Sequence, residues 1–172
     1  KILEDAACAS GSSFNGNFPG SIGDAAAFSF HPRKIITTGE GGMITTHSKK
    51  IKKEVDILRN MGASISDAQR HNGPTPYILP DFKKLGFNYR MTDIQASIGL
   101  AQLRKLKSII KERKQIANFF QKNLYDVEWL TLPKEPKGYS HSWQAYVTIV
   151  DPKKAPYTRN KIMEILDKKG VS

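Results

Sequence analysis

A single cysteine, Cys8, stands among 172 residues, so no internal disulfide is open to this chain and a reducing, cytoplasmic setting is the expectation. No apolar run approaches the roughly 20 residues that a membrane-spanning helix needs, and no membrane partner is expected. The opening Lys1-Ile2-Leu3-Glu4-Asp5 has neither an initiator Met nor the apolar core of a secretion signal, and the sequence reads as a stretch cut from something longer. Its 4 histidines and 1 cysteine are scattered, without the spacing of a metal-ligand set. Internal repeats and low-complexity tracts are lacking too.

What is there is a globular composition: 39% hydrophobic and 25% charged residues, with 13 glycines and 9 prolines as punctuation. Lys and Arg number 27 against 16 acidic residues, a net charge of +11. Much of the excess lies on Arg104, Lys105, Lys107, Lys111, Arg113, Lys114 and Lys122. That run reads as a solvated helix face or a rim between domains or subunits. A basic polyanion-binding module is the alternative from another class, but no zinc-finger cysteines or paired recognition aromatics accompany the charge, and nucleic acid is not expected as a partner.

Ile2 to Asp5 reads as the end of a buried strand with carboxylates at its carboxyl edge, where open α/β sheets hold ligands. Ala25 to Phe30 reads as a short interior strand, Pro32 ends ladder pairing, and Gly39 to Gly42 forms a turn into a strand at Met43 to Thr46. Ile51, Val55 and Leu58 mark one helical stripe, closed by Gly62, and a loop follows through Pro76. Thr92 and Gln95 form a capping box that opens a helix of about thirty residues, long enough to kink or to bridge two packing layers. Glu128 to Leu132 and Trp143 to Val150 read as strands with both tryptophans in the core, and Thr158 to Lys169 as a last helix.

Chemistry concentrates between Glu4 and Gly42. Lys34 follows the interior strand, and a lysine amine in a partly desolvated pocket can attack a carbonyl. Alone, such a lysine is ordinarily solvated. Ser29 can donate to a phosphate, Gly39, Gly41 and Gly42 allow close backbone approach, and Asp5 can hold a proton on a heteroaromatic nitrogen. These residue types suit pyridoxal 5'-phosphate, which needs an amine, a carboxylate and phosphate donors.

Three segments then agree in order and spacing: Glu4-Asp5-Ala6-Ala7, Phe28-Ser29-Phe30-His31-Pro32-Arg33-Lys34 with Gly39-Glu40-Gly41-Gly42, and Gly86 to Ala96 through Asn88-Tyr89-Arg90-Met91. Together they closely resemble the DegT/DnrJ/EryC1/StrS family of PLP-dependent nucleotide-sugar aminotransferases, over practically the whole chain. The resemblance implies an α/β fold: part of a fold-type I PLP-dependent transferase large domain over 1–125, with a mixed, mostly parallel sheet and flanking helices, followed by part of a small α+β C-terminal domain over 126–172. It implies Lys34 as the lysine of the internal aldimine, Asp5 as the enclosed partner of the pyridine nitrogen and Ser29 as a phosphate ligand. Asn88 falls where relatives reach the phosphate in the other subunit of a homodimer with shared active sites. Cys8 stands where many relatives carry Gln or His near the ring, and its bland reading is a buried small hydrophobe. His31 reads as a loop-ordering residue and His71 as a surface one. Tyr89 and Arg90 read as ordering the Asn88 turn. The implied reaction moves an amino group, with L-glutamate as donor, to a nucleotide-linked keto sugar. The rival within the family is a PLP- or PMP-dependent sugar dehydratase, against which Lys34 argues, because those relatives typically carry histidine there.

Overall fold

The computed structural model describes residues 1–171; Ser172, the last residue of the expected C-terminal portion, lies outside the described residues. In chain order the elements are β1 (Leu3–Asp5), β2 (Ser13–Phe14), β3 (Ala25–Ser29), β4 (Gly42–Thr45), α1 (Lys49–Leu58), α2 (Asp67–His71), α3 (Asp93–Leu124), β5 (Leu130–Thr131), β6 (Tyr139–Ser140), β7 (Ile149–Val150) and α4 (Arg159–Lys168).

The main sheet runs β1-β3-β4 and is mixed. β1 lies parallel to β3, with Asp5 opposite Ala27, and β4 is antiparallel to β3, with Gly42 opposite Ser29. β3 is therefore the interior strand that its small residues suggest, and Ala25 and Ala26 are buried in it. The expectation for β1 needs correcting. Leu3 is 73% exposed, because β1 is the outer strand and pairs with β3 on one side only.

Two smaller ladders sit beside this sheet. β2 pairs with β6, joining residue 13 to residue 140, and β5 pairs with β7. β6 arises from a Pro- and Gly-rich stretch that carries no strand pattern of its own; its partner lies more than a hundred residues away. The strand expected from Trp143 onward forms only at Ile149–Val150. Trp143 has φ +54°, a left-handed conformation that no β ladder accepts, and it interrupts the run. Trp143 is buried, as its size favours, whereas Trp129 is only half-buried.

α3 runs 32 residues without a break and opens on the expected capping box, in which Thr92 Oγ1 accepts from Gln95 N and Gln95 Oε1 accepts from Thr92 N. It bridges two layers instead of kinking. Its first half packs over Thr38, and Ile110 lies against Gly11. Its second half holds the C-terminal portion, where Arg113 donates to the carbonyl of Trp143 and Gln121 to that of Pro133. α2 is a helix where a loop is expected. Ser66 and Gln69 form a second capping box there, ahead of only five helical residues.

Candidate active site

The carboxyl ends of the parallel pair β1 and β3 point the same way, so the loops that leave them meet. From the β1 end comes Asp5, whose Oδ1 accepts from Ala7 N at 3.1 Å and so caps the turn beginning there. The side chain is exposed within this chain rather than enclosed, on the same face of β1 as the exposed Leu3. From the β3 end come Ser29 and the loop bearing Lys34. That loop is folded on itself: Lys34 N donates to His31 O at 2.9 Å, Thr38 N to Phe30 O at 3.0 Å, and Arg33 N to His31 Nδ1 at 3.1 Å. His31 orders the loop in this way, with its Nε2 also 3.8 Å from Glu40 Oε1.

These bonds aim the half-buried Lys34 across the sheet end, where its Nζ donates to Cys8 Sγ at 3.0 Å. Cys8 is exposed instead of buried as a small hydrophobe. It faces a hollow of about 310 Å³ between the β1–β3 connection and residues 135–142, lined by Glu4, Phe14, Tyr139 and His141 among others. A larger hollow of about 510 Å³ beneath α3 is walled by Phe28, Phe30, Met43 and Leu103 and carries no titratable group; it offers packing space and no chemistry.

Glu4 is a residue that the sequence does not single out for this task. Its carboxylate accepts from the backbone amides of Gly20, Ile22 and Gly23 at 2.9, 3.1 and 2.6 Å. Those bonds, that from Gly23 foremost, hold its pKa below the usual carboxylate range. It clamps the crossover connection back onto the strand that presents Asp5. Closeness of glycines to an acid in sequence gives no signal of this, since the partners are 16 to 19 residues away.

Among the described residues no hydrogen bond joins Asn88 to Asp5, Ser29 or Lys34. Asn88 lines another hollow, with Phe28, Gly41, Arg59 and Gln95, and sits in a segment tied to the end of α1: Phe87 N donates to Leu58 O at 2.7 Å and Tyr89 N to Arg59 O at 2.9 Å. Arg90 Nη1 donates to Asn60 Oδ1 at 2.7 Å and braces that turn. His71 is exposed at the end of α2. Among the described residues no group of His, Cys, Asp or Glu is arranged to hold a metal, and no helix is long and apolar enough to cross a membrane.

The mixed sheet with its flanking helices matches the architecture of fold-type I PLP-dependent aminotransferases. The chain belongs to the DegT/DnrJ/EryC1/StrS aminotransferase family, whose profile matches residues 1–172. It is 37% identical over 171 residues to the GDP-perosamine synthase of Caulobacter vibrioides, covering 99% of this chain and 43% of that protein. To the spore coat polysaccharide biosynthesis protein SpsC of Bacillus subtilis it is 36% identical, covering 96% and 42%. In structure it resembles Spr1654 of Streptococcus pneumoniae in its PLP form, with a TM-score of 0.82 at 30% identity over 98% of this chain and 42% of that one; a PMP form of the same protein matches as well. The chain thus spans less than half the length of these relatives.

The residues present fit the family's cofactor. The Lys34 amine reaches the turn that leaves β1, at Cys8, and among the described residues Asp5 is a carboxylate with no cation hydrogen-bonded to it and Ser29 Oγ has a single long contact of 3.5 Å, from His31 N, which leaves its hydroxyl proton to donate elsewhere.

Proposed function

We propose that the protein to which this chain belongs is a PLP-dependent aminotransferase that moves an amino group from L-glutamate to a keto sugar carried on a nucleotide. The observation that carries this reading is the position of Lys34 Nζ, 3.0 Å from Cys8 Sγ in the turn that leaves β1. When bound, the cofactor supplies a carbonyl that condenses with amines and a ring that delocalises negative charge. Lys34 would hold that carbonyl and, once released by the incoming donor, its amine would move a proton between the donor's Cα and the cofactor's C4′ carbon, and in the second half of the reaction between C4′ and the carbon of the acceptor that receives the amino group. Asp5 holds a proton on the ring nitrogen, and Ser29 donates to the phosphate. Asn88 serves the neighbouring subunit of a homodimer, in keeping with its lining a different hollow from the one that Cys8, the contact of Lys34, faces. The residue-level division is a large-domain part over 1–125 and a small C-terminal part over 126–172. The substrates are small molecules of the cytoplasm, with no nucleic acid involved.

The test uses the full-length protein. Borohydride treatment of the PLP-loaded enzyme should add the cofactor's mass at Lys34, and Lys34→Ala should lower kcat by at least about 100-fold, the scale of a positioned general base. A variant that keeps more than about a tenth of the activity would remove Lys34 from the reaction.

A further inference from the structure

We propose that Gln144 is a positioning residue for Lys34, acting through a strap, Ser142-Trp143-Gln144, that fastens both loops at the sheet's carboxyl end. The inference rests on the reading of Lys34 given above. Gln144 Nε2 donates to the backbone carbonyl of Arg33 at 2.6 Å, across 111 residues of sequence. That carbonyl belongs to the same peptide unit as Lys34 N, which donates to His31 O at 2.9 Å. A peptide unit is planar, so a hydrogen bond at each end fixes its orientation and with it the direction in which the Lys34 side chain leaves the backbone. Two residues earlier, Ser142 Oγ donates to the carbonyl of Cys8 at 3.3 Å, and Cys8 Sγ is the atom that meets Lys34 Nζ. The strap therefore grips the backbone under both partners of that contact.

The strap is itself held rigidly. Arg113 Nη1, from the middle of α3, donates to the carbonyls of Trp143 and Gln144 at 2.9 and 3.3 Å. Ser142 and Trp143 are 2% and 7% exposed. Trp143 adopts φ +54°, a conformation that costs a bulky residue energy and persists only where the surroundings enforce it. That left-handed step interrupts the extended run between Ser142, directed to the Cys8 loop, and Gln144, directed to the Lys34 loop. Such support is what a reactive side chain on a loop requires, since a loop alone does not hold an amine to a fraction of an ångström.

Three variants of the full-length protein test the proposal: Gln144→Met, which keeps the volume and loses the donor; Gln144→His, which restores an N–H at similar reach; and Ser142→Ala. The first readout needs no cofactor. In the cofactor-free protein, the rate at which acetic anhydride acylates Lys34 is followed against pH by peptide mass spectrometry, with the exposed lysines of α3 as internal reference. Gln144→Met should change the Lys34 rate at least threefold relative to those references and shift its pH profile, and Gln144→His should return both toward wild type. In the loaded enzyme Gln144→Met should lower kcat about tenfold or more while KM for the amino donor changes less than threefold. Ser142→Ala should act in the same direction with a smaller effect. A Gln144→Met protein with a lowered melting temperature but an unchanged Lys34 profile and kcat would overturn the proposal, leaving the strap a structural tie only. Because the acylation profile is read without cofactor, it stands apart from the Lys34→Ala test of the function itself.

Discussion

Glu4 shows how one side chain ties stability to pH. Its carboxylate takes three backbone amides in the turn from Gly20 to Gly23, and its folded pKa is lowered chiefly by the bond from Gly23. A lowered folded pKa means the clamp contributes fully above the unfolded value, about 4.3 for Glu, and is lost as the pH falls through the lower, folded one. In the full-length protein Glu4→Gln should therefore be destabilised at neutral pH, by less than the roughly 1.5–3 kcal/mol of a hydrogen bond to a charged group because solvent screens this carboxylate, and the gap to wild type should close in acid. Urea midpoints measured from neutral to acid pH check this; a gap that stays constant would assign the clamp no role. At this scale the places of Asp5, Ser29 and Lys34 at or just beyond strand ends were legible, because each lies where a strand pattern stops and polar residues begin, while their roles come from the family resemblance. Glu4, Ser142 and Gln144 were not, since their partners are 16 to 134 residues distant and no local pattern encodes them.

The segment bearing Asn88 is held by a crossing of two glycines. Gly62 has φ +80°, and a side chain there would run into the carbonyl of Lys84, while one at Gly86 would strike the amide of Gly62. Only at this close approach can Met61 N reach Phe87 O at 2.9 Å. Gly62→Ala should cost at least about 1–2 kcal/mol from the left-handed backbone alone, and more from the collision. Chemical denaturation of the full-length variant reads this, and an unchanged midpoint would contradict the packing described. The capping box at Thr92 was legible, as were the helices marked by the apolar spacing of Ile51, Val55 and Leu58 and by the run from Thr158, and the structure adds Ser48 and Thr158 as their caps. α2 carries the same signal at Ser66 and Gln69, but its five residues are too few to display a stripe. β6 and the left-handed Trp143 depend on partners elsewhere in the chain, so neither had a local signature.

For the whole molecule, the different hollows lined by Asn88 and by Cys8 lead to a test of sharing between subunits. Full-length Lys34→Ala and Asn88→Ala proteins, each impaired alone, should recover substantial activity when their subunits exchange, because a mixed dimer holds one site with both lesions and one with neither. Verified mixed dimers without recovery would end the shared-site reading. The unbroken length of α3 bears on something else, the way this chain can change in evolution. Gly99, Ile110, Arg113 and Gln121 all make their contacts from one stripe of that helix, and each residue advances the helix by about 100°. Losing one residue near Gly99 would swing Arg113 and Gln121 a quarter-turn off their carbonyls, whereas gain or loss of seven, close to two full turns, keeps the stripe nearly in phase. Single-residue changes in length are therefore absorbed at least cost by the loops on either side, and α3 acts as the ruler against which the two portions of the molecule keep their register.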